Sequence, residues 1–130
     1  KEDLFFSSLN NHAMAFKFER LIVWQKSLIL SGLINQLAKK FPKDELYILT
    51  SQIKRAADSV SLNIAEGSTG QSNAEFSRFL GIAIRSILEV VGCIYIARNR
   101  GYIDDIDFDQ IYLLCEELLV MINALRNSLK

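Results

Sequence analysis

The sequence predicts an all-α protein, an up-down-up-down antiparallel four-helix bundle. Three observations predict it. Apolar residues recur at steps of three and four along four long segments. Each segment ends at a recognisable stop, and the next starts within a few residues. No stretch alternates apolar and polar with the two-residue period of a strand. Long helices joined by short connections pack as antiparallel neighbours.

The first helix is expected over about 19–40. Trp24 and Leu28 mark one face, and Leu30, Ile34, Leu37 and Phe41 an adjoining one. Pro42 stops it, because proline restricts the preceding residue and donates no amide. The second helix starts at once, with Asp44 and Glu45 in a first turn that favours negative charge. Leu46, Leu49, Ile53, Ala56, Val60 and Ile64 form its apolar stripe, and Gly67 is its stop.

Ser72 opens the third helix as the head of a capping box with Glu75. That helix runs to Arg100 and ends at Gly101. A second box, Asp107 with Gln110, is read as the start of the fourth. Its stripe is Phe108, Ile111, Cys115, Leu118, Ile122, Leu125 and Leu129, the spacing of near-parallel packing. Connections are therefore expected near 41–43, 67–72 and 101–107.

The chain has 130 residues, a one-domain length, of which 50% are hydrophobic. Residues 1–13 lack a sustained period and read as an N-terminal extension or upstream sequence; residues 14–130 read as the bundle domain. The sole histidine, His12, falls in the extension and reads as a surface residue. No uninterrupted apolar run reaches the length of a membrane span, so no membrane is expected as a partner. Cys93 and Cys115 lie among apolar residues and read as buried free thiols of a cytoplasmic protein.

Fifteen basic and fifteen acidic residues cancel, but unevenly. From Met14 to Glu66, eight basic residues face five acidic ones; from Gly67 on, six face eight. The basic excess gathers at the first turn, where Lys39, Lys40 and Lys43 are candidate nucleic-acid contacts, with Arg55 a further one.

Two segments carry more than a bundle needs. Apolar residues of the third helix cover roughly 240° of its circumference, where a helix facing one core needs little over 100°. Either neighbours in the same chain sandwich it, or its outer face meets another subunit; oligomerisation is the reading adopted. On the second helix, Gln52, Arg55, Ser59, Asn63 and Glu66 form a polar line beside the apolar stripe. Arg55 and Glu66 stand about 16 Å apart along one helix, too far to pair. We read the line as structural, with Asn63 and Glu66 fastening the end of the helix; the rival is a ligand groove.

Enzyme chemistry finds no constellation. A di-iron bundle needs two Glu-x-x-His motifs, and the one histidine lies outside the bundle. Gly67 and Gly70 suit a turn rather than a phosphate cradle. Glu116-Glu117 is a lone acidic pair, and neither cysteine has an activating neighbour. No cofactor, metal or catalytic residue is expected.

Several stretches resemble a known family. They are "FERLIVWQKS", "FPKDELYILTSQIKRAADSVSLNIAEG" and "EFSRFLGIAIRSILEV", followed by "GYI" and the last helix. Together they are similar to the bacterial four-helix-bundle family of 23S rRNA-intervening-sequence proteins, over Phe16 to about Leu129. The resemblance implies a bundle that assembles into a ring, commonly of five subunits, with no established activity. It extends to the basic accessory protein of diversity-generating retroelements, which binds a reverse transcriptase and RNA. This chain departs from that protein in charge, with 14 basic against 13 acidic residues from Met14 on. The function expected is a non-enzymatic oligomeric adaptor for RNA or a ribonucleoprotein; the alternative is an oligomeric protein-interaction scaffold without nucleic acid.

Overall fold

A computed structural model of the chain describes residues 15–70 and 72–130. The N-terminal extension, with His12, lies outside the described residues. Four α-helices carry the fold: α1 (Ile22–Ala38), α2 (Ser51–Ser68), α3 (Asn73–Asn99) and α4 (Asp105–Ser128). The described residues hold no strand. Helix α1 packs on α2 and α4, and α3 packs on the same two, so the bundle is a square with sequence neighbours adjacent. The α1–α2 and α3–α4 connections share one end, where the Phe41 and Tyr102 rings lie 5.7 Å apart.

The apolar stripes read from the sequence form one core. Leu30, Ile34, Ile53, Val60, Ile64, Leu80, Ala83, Ile94, Leu118 and Ile122 are fully buried in it. The expected α4 stripe is buried from Phe108 to Ile122 and half-buried at Leu125 and Leu129. Burial on this scale is the main favourable term in folding, since each buried aliphatic side chain contributes about 1.5–3 kcal/mol.

Local details differ from the expectation, each for a physical reason. The first helix does not begin at Glu19. Lys17–Arg20 form a 3-10 turn, and extended backbone at Leu21 separates it from α1. The Glu19 carboxylate is used there to accept the Phe16 amide at 2.9 Å. After Pro42 the chain does not enter an α-helix directly. A 3-10 turn (Lys43–Glu45) and a π-helical turn (Leu46–Thr50) come first. The wider turn slips the register of the apolar stripe. Leu49 stays buried, while Leu46, Tyr47 and Ile48 face outward.

Gly67 does not stop α2 by a left-handed cap. The helix runs on through Ser68, and the one described glycine with positive φ is Gly101, at 78°. Gly67 is buried against α3 instead: an added Cβ would stand 2.7 Å from Phe79 Cβ and 2.9 Å from Phe76 Cδ1. Its missing side chain sets how closely the two helices approach.

The Ser72 cap is present, its Oγ accepting the Glu75 amide at 3.1 Å. The reciprocal half of the box is replaced by an ion pair, Glu75 with Arg78 at 2.6 Å. The fourth helix starts before the expected box. Asp104 is its N-cap, accepting the Asp107 amide at 2.8 Å, which puts Asp107 in the first turn.

Candidate functional site

The α1–α2 connection presents Lys39, Lys40 and Lys43, all exposed. They are not an isolated basic patch. The start of α4 brings Asp104, Asp105 and Asp107 to the same end of the bundle. Lys40 Nζ donates to Asp107 Oδ2 at 2.7 Å. That bond raises the lysine pKa from its ordinary value and lowers the aspartate's. Arg98 lies 3.7 Å from Asp105. Lys39 and Lys43 make no ion pair among the described residues. Arg55 is exposed on α2, outside this connection.

The same end holds a polar latch that the sequence reading placed only as a helix-dipole residue. Glu45 is 8% exposed. Its Oε2 accepts from Tyr102 Oη at 2.6 Å and from Arg100 Nη1 at 2.7 Å. One carboxylate thus ties the α1–α2 connection to the α3–α4 connection. A signal was present in the sequence: Glu45 stands four residues from both Phe41 and Leu49, which are buried, so it lies on the inward line.

The Tyr102 hydroxyl, with help from Arg100, holds the Glu45 carboxyl below its ordinary range. The same contact pushes the Tyr102 phenol up. A depressed carboxyl contributes stability above its unfolded pKa, and loses it as pH falls through the folded one. A raised phenol contributes below its unfolded pKa, and loses it as pH rises through the folded one. Thermal unfolding should therefore be flat through neutral pH, falling on an acid limb below about pH 4.5 and an alkaline limb above about pH 10. Glu45→Gln and Tyr102→Phe should each reduce both limbs, because each removes one titrating group and the main perturbation of its partner; unchanged profiles would contradict the latch.

The polar line on α2 divides in two. Ser59 and Asn63 turn inward, while Gln52, Arg55 and Glu66 are exposed. Asn63 Nδ2 donates to Ser59 O at 2.7 Å and to Ser59 Oγ at 2.9 Å. Ser86 of α3, which is buried, reaches across to Ser59 Oγ at 2.8 Å. The inner part is thus an α2–α3 hydrogen-bond node whose partner the sequence reading missed. A small hydroxyl on an apolar helix gave little to find it by. We expect Asn63→Ala and Ser86→Ala each to lower the unfolding free energy by about 1 kcal/mol, with the double variant losing less than the sum. Chemical denaturation of the four-member set tests this.

Glu66 makes no hydrogen bond or ion pair among the described residues, so within one chain it does not fasten the helix end as expected. The carbonyls there are closed by hydroxyls: Ser68 donates to Ala65 O and Thr69 to Glu66 O, both at 2.8 Å. The groups left open at a helix C-terminus are carbonyls, which a carboxylate cannot close because it only accepts. The Glu66 charge is instead felt by Arg78 of α3, whose pKa is raised first by Glu75 and to a lesser degree by Glu66.

Helix α3 buries its core-facing line and leaves apolar side chains outside. Leu88 is 55% and Tyr95 48% exposed, and Ile84 and Val91 on the same face are half-buried against the core. These four follow the i, i+4, i+7, i+11 spacing of a single helix face. By length and composition alone α3 is apolar enough to cross a membrane, although charges interrupt its apolar run and part of it is buried in the bundle core. Cys93 and Cys115 are buried free thiols, and burial pushes them up to about 11 and about 12. Among the described residues, no three His, Cys, Asp or Glu side chains gather closely enough to hold a metal ion.

The sequence profile of the 23S rRNA-intervening sequence protein family matches residues 19–124. Among solved structures, the chain is similar to a protein of unknown function from the S23 ribosomal protein family of Bacteroides thetaiotaomicron. The TM-score is 0.76 at 24% identity, over 81% of this chain and 98% of the other. A search of curated proteins found no match.

Proposed function

The chain belongs to the 23S rRNA-intervening sequence protein family, and from that premise we propose that it is a non-enzymatic cytoplasmic adaptor, a self-assembling scaffold for other proteins. The observation that carries this reading is the outer apolar face of α3, where Leu88 and Tyr95 are about half exposed beside the partly buried Ile84 and Val91. Large apolar side chains left half exposed along one helix face mark a surface that a partner covers. A closed ring satisfies it, and five subunits is the number the family resemblance favours.

RNA is the second reading, favoured by exposed Lys39 and Lys43. The acidic start of α4 at the same end, the Lys40–Asp107 pair and the net charge of zero weigh against it. The discriminating experiment is retention of the purified protein on 23S rRNA fragments across a salt series. The scaffold reading expects no retention at near-physiological salt. Strong, salt-dependent retention that Lys39→Ala with Lys43→Ala abolishes would replace it with the RNA reading.

A further inference from the structure

The outward side of α4 carries a second apolar line. Ile106, Leu113 and Val120 are 80%, 61% and 65% exposed. They stand seven residues apart, so they fall nearly on one line along the helix, drifting only about 20° per heptad. The core-facing residues Phe108, Ile111, Cys115, Leu118 and Ile122 already anchor the helix, so these three are not needed to hold it down.

The helix is acidic, and its unpaired carboxylates lie on one flank of this line. Helix α4 contains Asp105, Asp107, Asp109, Glu116 and Glu117 against a single base, Arg126. Arg126 is turned onto α3, its Nε donating to Ser77 Oγ at 3.0 Å. Asp107 is paired with Lys40, and Glu117 lies 3.4 Å from Lys26. Asp109 and Glu116 are exposed, with no ion pair among the described residues.

We propose that this strip docks a cationic amphipathic helix of a partner protein, with apolar residues at heptad spacing and lysine or arginine beside them. The proposal rests on the scaffold reading and names the chemistry of its partner. Charge selects the occupant. A second α4 would set carboxylates against carboxylates, and an RNA backbone would meet the same repulsion. A helix with a basic flank meets the unpaired carboxylates of Asp109 and Glu116 on one side while covering Leu113 and Val120. One apolar residue per heptad is a half-width seam, because the intervening positions Asp109 and Glu116 are polar. Binding should therefore be moderate and strongly salt-dependent.

The test uses the whole chain and two synthetic three-heptad peptides with identical leucine positions, one flanked by lysine and one by glutamate. Fluorescence anisotropy should show the lysine peptide binding and the glutamate peptide failing to bind. Leu113→Ser should weaken binding by about tenfold or more, as expected for a central apolar anchor. Asp109→Asn with Glu116→Gln should flatten the salt dependence. Equal binding of both peptides, or no binding of the lysine peptide, overturns the proposal. Loss of assembly in Leu113→Ser also overturns it, since a second copy would then be the occupant. A monomeric mass with peptide selectivity intact would instead count against the scaffold's self-assembly and leave the strip standing.

Discussion

Replacing Gly67 with alanine should lower the unfolding free energy by about 1–3 kcal/mol. On helix propensity alone the change would stabilise by up to about 1 kcal/mol, because glycine inside a helix is unfavourable. Packing decides the sign. The new Cβ would stand 2.7 Å from Phe79 Cβ. That atom is fixed to the α3 backbone and cannot rotate away, so α2 and α3 must separate. Separation also stretches the Ser59–Ser86 contact between the same helices. Gly32 is the control: an added Cβ there meets nothing within 4 Å, and Gly32→Ala should be neutral or stabilising. Opposite signs for the two variants in denaturant unfolding would establish that Gly67 is a packing residue. A stable Gly67→Ala would return it to a turn role.

The second large effect concerns assembly. Leu88→Glu combined with Tyr95→Ser should reduce the assembly to single chains of 14.8 kDa while leaving the far-ultraviolet spectrum and core stability intact. Both side chains lie on the solvent side of α3, about half exposed, so within one chain neither supports the core by more than a flank contact. Tyr95 does touch Phe108, with ring centroids 4.9 Å apart, so Leu88→Glu alone serves as the cleaner arm. Placing a carboxylate in a buried apolar interface costs several kcal/mol per subunit, enough to dissociate a ring at micromolar concentration. A double variant that keeps the parent mass would locate the interface elsewhere and remove the main support for the scaffold reading.

The fold was legible because the residues that specify it act locally. Ile53, Val60 and Ile64 repeat at helical steps, and Ser72 caps its own helix. What was illegible depends on contacts between segments. Glu45 looks like an ordinary first-turn acid until Arg100 and Tyr102, more than 50 positions away, are folded against it. Gly67 followed by a polar stretch has the look of a cap, and only the position of Phe79 shows why glycine is required. The lysines of the first connection appear as a basic patch in the sequence, because Asp107 lies 67 residues beyond Lys40. Asp104 and Asp107 both suit an N-cap by residue type, and backbone geometry chose the earlier one.

The heptad line of α4 was visible in principle, since Ile106, Leu113 and Val120 are spaced by seven. It was overshadowed by the stronger core stripe on the opposite side of the same helix. Exposure separates the two: Leu118 is fully buried and Val120 is 65% exposed.

The most direct test of the central claim is the mass of the purified chain in solution by light scattering at micromolar concentration. The account predicts a discrete species several times 14.8 kDa, held together through the apolar line of α3 and insensitive to Leu113→Ser on α4. A clean 14.8 kDa species at every concentration would contradict it.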